Sequence, residues 1–147
     1  MNSVLVIGCG NSFRQDDGAG YSAAEQLKAV GLSSAVRVIA CQQLTPELAI
    51  EMSNVDRVIL IDASTGGSPG EVSVQKIEPL DRNDGTITHE LQPWALLETA
   101  RVLYHSNAEM YLVTVTGESF DFGGQLSEAV QTAMPEVHRR VNQLLDS

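Results

Sequence analysis

Apolar residues in this chain of 147 residues fall into short continuous runs separated by stretches with helical spacing. The runs predict five strands, at residues 3–8, 35–40, 57–62, 70–77 and 109–116. The runs at 3–8 and 57–62 are almost wholly apolar, which is typical of strands buried on both faces. The run at 70–77 alternates apolar and polar residues, which indicates a strand with one wetter face.

Helices are predicted between the strands by apolar residues that recur at helical spacing and by start and stop signals. They cover residues 17–30, a short stretch that begins at 45, residues 91–104 and residues 127–145. Gly31 is expected to end the first helix, and Thr45 to be the N-cap of the second with Pro46 at its first position. Pro93 is tolerable in a first turn, whereas Pro135 is expected to kink or split the last helix.

Strands that alternate with helices predict an α/β fold, namely a three-layer α/β/α sandwich with a five-stranded, mostly parallel twisted sheet. The fourth strand follows the third after a short connection, so we expect it to run antiparallel. Residues 1–147 are expected to form a single domain. The polar stretch at 78–88 is predicted to be a mobile loop. In such folds ligands bind outside the carboxyl ends of the strands.

Composition narrows the function classes. Apolar residues make up 43% of the chain and charged residues 19%, which excludes a disordered chain. No apolar run approaches the roughly 18 residues of a membrane span, and the N-terminus lacks the pattern of a signal peptide. The formal net charge of −10 disfavours nucleic acid as a partner. Cys9 and Cys41 form no CxxC pair, which fits a reducing cytoplasm.

Two glycines after the first strand suggest a dinucleotide-binding fingerprint. Gly8 and Gly10 have the spacing of its first two glycines, but Phe13 occupies the third glycine position. The second strand ends at Ala40 and Cys41, where a ribose-binding acid would be required. The sequence therefore disfavours a nicotinamide cofactor and favours glycines that serve a tight turn.

Acidic residues at the strand ends suggest a metal site. Asp16 and Asp17 with Asp62 have some likeness to the magnesium pocket of a receiver domain, but the pair comes late and residues 114–118 contain no lysine. Asp17, Asp62 and His89 together offer two carboxylates and one imidazole, which can bind a divalent transition metal and leave positions open for hydrolysis. The simpler alternatives are a helix cap for either neighbouring acid, a turn for Asp62 and a solvated His89.

Several segments together resemble the hydrogenase maturation endopeptidases. Residues 4–11 (VLVIGCGN) and 16–20 (DDGAG) are similar to the start of that family, which has a strand, Gly-x-Gly-Asn and then Asp-(Asp/Glu)-x-x-Gly. Residues 59–63 (ILIDA) resemble its strand that ends in aspartate, and residues 89–91 (HEL) resemble its His-x-Leu at a helix start. Order and spacing agree across nearly the whole chain.

The resemblance implies an endopeptidase that removes a C-terminal extension from the precursor of the large subunit of a [NiFe] hydrogenase. It implies that nickel is supplied by the substrate and that Asp17, Asp62 and His89 bind it. A carboxylate, that of Asp17 or Asp62, is then the candidate general base. The family is sometimes classed with the aspartic peptidases, although the chain has no pepsin-like Asp-Thr/Ser-Gly pair. A non-catalytic nickel sensor or scaffold that uses the same pocket remains an alternative.

The segment after the second strand differs from many members of that family. They carry an Asp-Gly-Gly-Thr-like sequence, whereas residues 41–47 read CQQLTPE and resemble the subgroup that serves the bidirectional, NAD-linked hydrogenase. Gln42, Gln43, Leu44 and Thr45 are therefore predicted to recognise the substrate, although the same residues also suit a helix start. A cysteine peptidase is disfavoured because neither cysteine has a histidine near it in the sequence.

Overall fold

The structure, a computed structural model, describes residues 3–79 and 91–146. Its strands are β1 (Val4–Cys9), β2 (Val36–Cys41), β3 (Arg57–Ser64), β4 (Val72–Ile77) and β5 (Glu109–Thr116). They form one sheet in the order β2-β1-β3-β5-β4, in which only β4 runs antiparallel to its neighbour. Both the mostly parallel sheet and the antiparallel fourth strand confirm the predictions from sequence.

Four α-helices occur among the described residues: α1 (Ala19–Val30), α2 (Leu48–Glu51) and α3 (Pro93–Tyr104) lie between strands, and α4 (Glu128–Asp146) follows β5. A 3-10 turn at Gln15–Gly18 precedes α1, so the regular helix begins two residues later than predicted. Gly31 follows α1 in the left-handed conformation with φ of 78°, which confirms the predicted stop. Pro93 is the first residue of α3, where its missing N–H costs nothing.

The helices cover both faces of the sheet and thereby give the predicted three layers. Side chains alternate between the faces along each strand. Val4 and Val6 of β1 pack with α1 and α4, whereas Leu5 and Ile7 pack with α2 and α3. All four are almost fully buried, and burial of each such side chain contributes about 1.5–3 kcal/mol. The central strands are therefore fixed from both sides, and the loops at their carboxyl ends start from a rigid platform.

The predicted cap at Thr45 is wrong, and of the two outcomes predicted for Pro135 the split does not occur. Thr45 does not cap α2, because the residue before that helix is Glu47, and the Thr45 hydroxyl hydrogen-bonds the Glu47 carboxylate instead. Pro135 does not split α4, which runs without interruption from Glu128 to Asp146. A proline inside a helix removes one backbone hydrogen bond. Burial of the apolar side of α4 against the sheet offsets that loss.

The predicted mobile loop at 78–88 lies outside the described residues from position 80 onward. Across residues 3–79 and 91–146, none of the helices combines the length and the apolarity that crossing a bilayer requires.

Candidate functional site

A cavity of about 190 Å³ opens where β1, β2 and β3 end. It is lined by residues from five stretches of the chain, namely Cys9, Gly10, Asp17, Gln42, Gln43, Leu44, Asp62, Ala63, Leu91, Gln92 and Pro93. Asp17, Asp62 and three of the four predicted recognition residues thus meet at one place. Thr45 does not line this cavity. The location agrees with the rule that ligands bind at the carboxyl edge of a parallel sheet.

Asp17 is held at the cavity by the loop that follows β1. The backbone N–H of Asn11 donates a hydrogen bond to Asp17 Oδ2 at 3.1 Å. Gly10 makes the close approach possible: its φ is +152°, and a Cβ there would lie 1.8 Å from the carbonyl oxygen of Asp17. The loop therefore requires glycine at this position for a steric reason, which supports the interpretation of Gly10 as a turn residue.

Asp16 has a different environment from its neighbour, because its side chain is fully buried. Its Oδ2 accepts hydrogen bonds from the backbone N–H groups of Glu118 at 2.8 Å and Ser119 at 3.1 Å, and its Oδ1 accepts one from Ser127 at 2.7 Å. Burial opposes ionisation of Asp16, but these bonds together with the Ser127 hydroxyl outweigh it and lower its pKa. The 3-10 turn is thereby anchored to the loop after β5 and to the start of α4.

Neither Asp16 nor Asp17 makes a side-chain capping bond to the 3-10 turn or to α1, so the capping alternative for these residues is wrong. Asp16 is instead a buried anchor, and Asp17 lies in the cavity wall. Sequence alone could not separate them, because the groups that bind Asp16 lie more than 100 residues away along the chain.

Asp62 reaches the cavity from β3. It lies within the strand, which continues to Ser64, and pairs with Thr114 of β5. The turn position considered from sequence is therefore wrong. Its Oδ1 accepts a hydrogen bond from the N–H of Ala63 at 2.8 Å, which orients the carboxylate at the strand end.

His89 lies outside the described residues. Leu91, Gln92 and Pro93 follow it directly in the chain and do line the cavity. Gln92 precedes the first turn of α3, and Pro93 begins that helix.

The charge of the described cavity wall is negative. Asp17 and Asp62 are its ionisable carboxylates, and none of the described lining residues is Lys or Arg. Carboxylate and amide oxygens are hard donors that suit divalent cations. No group of three His, Cys, Asp or Glu side chains able to hold a metal occurs within residues 3–79 and 91–146. The described part thus contributes two carboxylates, and any complete metal shell needs further ligands.

The segment after β2 forms one side of the cavity. Gln42 and Gln43 are exposed, whereas Leu44 is half-buried against the apolar cluster beneath α2 and α3. Amide side chains offer both donors and acceptors, which suits contact with a peptide backbone. Leu44 packs inward as a support for the segment.

Cys9, Gly10 and Gln92 are lining residues that the sequence analysis did not assign to the site. The position of Cys9 at the end of β1 was the available signal, because ligands bind at the carboxyl ends of parallel strands. Its Sγ donates to the carbonyl oxygen of Gln42 at 3.8 Å, which links β1 to the segment that follows β2. No histidine lines the cavity in the part of the chain that the structure describes.

Three solved proteins with the same fold carry the name of a hydrogenase maturation protease, peptidase or endopeptidase. The chain aligns with a [NiFe] hydrogenase maturation protease HycI of Thermococcus kodakarensis KOD1 at a TM-score of 0.83 and 20% identity, with 99% of this chain and 94% of the other covered. It aligns with the endopeptidase HybD of E. coli at 0.78 and 23%, covering 98% and 92%. A hydrogenase 2 maturation peptidase of Thaumarchaeota archaeon SCGC_AB-539-E09 gives 0.76 and 25%, covering 98% of both chains.

No curated protein is close enough in sequence to count as a match. The family model of the hydrogenase maturation proteases (HycI) matches residues 22–144. That span begins after Asp17 and includes β2 to β5, all of α2 and α3, and α4 up to residue 144. The match covers most of the chain, and the fold groups two acids at the carboxyl edge of its sheet. This chain therefore belongs to the hydrogenase maturation protease family.

Proposed function

We propose that this protein is a cytoplasmic endopeptidase that removes the C-terminal extension from the nickel-loaded precursor of a [NiFe] hydrogenase large subunit. Membership of the family makes it a protease of hydrogenase maturation. One observation carries the proposal for the site: Asp17 and Asp62, from separate strand ends, line a single cavity with the segment 42–44. This arrangement offers two carboxylates for the chemistry and an adjacent polar surface for the peptide.

Asp17, Asp62 and His89 are the proposed nickel-binding residues. Asp17 Oδ2 accepts one hydrogen bond from Asn11, yet a carboxylate has about four lone-pair sites and retains capacity for an ion. Leu91, two residues after His89, lines the same cavity. Two carboxylates and one imidazole are too few and too hard to hold nickel tightly by themselves.

Nickel is supplied by the substrate in this proposal. A precursor that carries nickel on cysteine thiolates would complete the metal shell, so only the loaded precursor would bind well. Specificity then arises from ligands that the enzyme lacks. This provides a physical reason for cleavage to follow metal insertion.

Peptide hydrolysis needs a group that accepts a proton from the attacking water. The carboxylate of Asp17 or Asp62 has this role in the proposal, which accounts for an aspartic-type classification without a pepsin-like motif. The segment 42–45 reads the precursor, and its sequence favours the precursor of a bidirectional, NAD-linked hydrogenase. Gln42 and Gln43 are exposed at the cavity and are available to a peptide backbone.

A processing assay tests the proposal. Purified protein is incubated with nickel-loaded precursor and with nickel-free precursor, and the mass of the large subunit is measured. We expect shortening of the loaded form only. Asp17→Asn should slow processing by about 100-fold or more, as expected for loss of a general base or ligand. Asp146→Asn makes the same charge change at an exposed position on α4 and should process normally.

The alternative of a nickel sensor or scaffold predicts a different result in the same assay. The protein would bind the loaded precursor, detected by co-elution, without shortening it. Stable binding with an unchanged large-subunit mass, at nickel loading verified by metal analysis, would favour that alternative over a protease.

A further inference from the structure

The two cysteines of the chain end neighbouring parallel strands in the same register. Cys9 is the last residue of β1 and Cys41 the last of β2, and they are direct partners in the ladder. Partners in register project to the same face of a sheet, and adjacent strands lie about 4.8 Å apart. Disulfides require Cα atoms about 4.4–6.8 Å apart, so this placement meets the distance condition. Neither cysteine is in a disulfide.

The surroundings of the two thiols differ in a way that assigns them separate roles. Cys9 is 7% exposed and packs beneath α2 and α3, whereas Cys41 is half-buried. A hydrogen bond from the Cys9 thiol lowers the pKa of Cys41, and it outweighs both burial and the charge of Asp62. The more accessible thiol is therefore the better nucleophile of the two.

We propose that Cys9 and Cys41 form a reversible dithiol–disulfide couple at the paired ends of β1 and β2, beside the cavity that Cys9 lines, oxidised by low-molecular-weight disulfides such as oxidised glutathione. The Cys41 thiolate attacks one sulfur of the small disulfide, forms a mixed disulfide and releases one thiolate. Cys9 then loses its proton and attacks the Cys41 sulfur, which releases the second thiolate. Two protein thiols are oxidised, one small disulfide is reduced, and both protons end on the two released thiols.

A metal site at these thiols is less well supported by the surroundings. Structural zinc requires four ligands, and no cluster of three candidate ligands occurs among the described residues. A pair of thiols that belongs to no three-ligand cluster within residues 3–79 and 91–146 fits reversible oxidation better than stable metal binding. The couple is also independent of the proposed peptidase chemistry, which uses neither thiol.

Oxidation would alter the recognition side of the cavity. Gln42 follows Cys41 directly, and its carbonyl oxygen accepts the bond from Cys9 Sγ at 3.8 Å. The N–H of Gly10 donates to the carbonyl of Cys41 at 3.0 Å, so the two strand ends are already joined there. A disulfide would replace the Cys9–Gln42 bond with a covalent link between the strands. The segment 42–44, which lines the cavity, would then be held more tightly.

Intact-mass measurement of the full-length protein in glutathione redox buffers tests the couple without any precursor. Reduced protein is equilibrated in these buffers without oxygen and quenched in acid, and its intact mass is measured by mass spectrometry. We expect the wild type to lose two hydrogens under oxidising buffer and to regain them with dithiothreitol. Amide exchange of peptides that contain 42–44 should be slower in the oxidised form, whereas peptides from α4 should exchange equally in both forms.

Single substitutions test the order of attack. Cys9→Ser should stop at a stable glutathione adduct on Cys41, and Cys41→Ser should react far more slowly because the remaining thiol is buried. A wild type that keeps a glutathione adduct, or that stays a dithiol in excess oxidised glutathione, would overturn the couple. Equal exchange at 42–44 in both redox forms would overturn its effect on the cavity. The wild-type readouts stand even if a variant folds poorly.

Discussion

Asp16 Oδ1 accepts a hydrogen bond from the backbone N–H of Ser127 at 2.7 Å, across 111 residues of sequence. Ser127 immediately precedes α4, and its own hydroxyl accepts a bond from the N–H of Val130 at 3.3 Å. The start of α4, the loop after β5 and the 3-10 turn therefore meet at one buried carboxylate. Because Asp17 follows Asp16 directly, this anchor also fixes the backbone from which Asp17 reaches the cavity.

Asp16→Asn should lower the free energy of unfolding by about 2–4 kcal/mol at neutral pH, because hydrogen bonds to a buried charge are each worth about 1.5–3 kcal/mol. An amide keeps one acceptor oxygen but turns its NH₂ group toward backbone donors. Urea unfolding measures the effect. Asp121→Asn is the control, since it makes the same change at an exposed residue of the neighbouring loop. Equal stability of the two variants would contradict the anchor.

The hydrogen-bonded carboxylate of Asp16 should also make the free energy of unfolding fall as the pH becomes acidic. The pKa of Asp16 is lowered in the folded protein relative to its ordinary value near 3.9. A carboxyl group with a lower pKa in the folded state than in the unfolded state stabilises the fold. This contribution is fully present above the pKa of the unfolded state and is lost as the pH falls through the pKa of the folded state. The stability difference between wild type and Asp16→Asn should thus be constant above about pH 5 and shrink below about pH 4. A difference that grew on acidification would show that the sign is wrong.

Gly20→Ala tests the close packing of α1 against the sheet. A Cβ at Gly20 would lie 2.2 Å from the carbonyl oxygen of Ile61 and 2.4 Å from that of Cys9. Backbone atoms cannot yield as a flexible side chain can, so we expect a loss of about 1–3 kcal/mol in unfolding free energy. Gly124→Ala is the matched control, because a Cβ there meets no atom within 4 Å. Similar unfolding midpoints for both variants would contradict this packing.

The sequence could predict the strands of the fold, but not the close packing that requires glycine at position 20. The strands follow from continuous apolar runs, because a strand covered by helices on both faces has little room for polar residues. β5 matches its predicted bounds, and β1 differs by one residue at each end. Gly20 was matched only as the last residue of the motif at 16–20, and its packing role was not predicted, since it arises from the carbonyl groups of Ile61 and Cys9, which only the folded sheet brings close.

The site was predictable to the extent that it depends on strand ends. Asp17 and the segment 42–44 come after strands, Asp62 lies near the end of one, and parallel strands bring their carboxyl ends to one edge. The buried role of Asp16 was not predictable, because nothing local distinguishes it from Asp17. The cap at Thr45 failed for a similar reason: the hydroxyl found a nearby carboxylate instead of a backbone N–H.

Divalent metal binding should be weak and should depend on the three proposed ligands. Calorimetric titration of the full-length protein with Ni²⁺ should give a smaller binding signal after Asp17→Asn, Asp62→Asn or His89→Ala, while thermal unfolding without metal stays near that of wild type. A crystal soaked with nickel, cadmium or zinc should show the ion about 2.0–2.3 Å from these side chains. Separation of the three groups by more than about 8 Å would exclude a shared ion.

Peptide cleavage should not require either thiol. Cys9 and Cys41 pair with one another, and no histidine lines the cavity in the described residues. The double variant with serine at both positions should process the precursor within about tenfold of wild type under reducing conditions. Loss of all processing by a variant that unfolds at the wild-type temperature would favour a thiolate nucleophile over the carboxylate site.

The segment 42–45 should determine which precursor is accepted, and not whether cleavage is chemically possible. Gln42, Gln43 and Leu44 line the cavity beside Asp17 and Asp62. The side-chain amides of Gln42 and Gln43 can pair with a peptide backbone. Thr45 lies just outside and bonds toward Glu47, so it shapes the segment without lining the cavity.

Exchange of these four residues for an Asp-Gly-Gly-Thr-like sequence is therefore expected to reduce processing of the cognate precursor while leaving Ni²⁺ binding intact. The physical reason is that the exchange removes peptide contacts but retains the carboxylates of Asp17 and Asp62. Both quantities are measured on the same variant, with single Gln42→Ala and Gln43→Ala variants to divide the effect. Parallel loss of metal binding and cleavage would place the segment within the metal site itself. Unchanged processing would mean that it serves only to start α2, because a recognition surface cannot be replaced without a change in the rate of its own substrate.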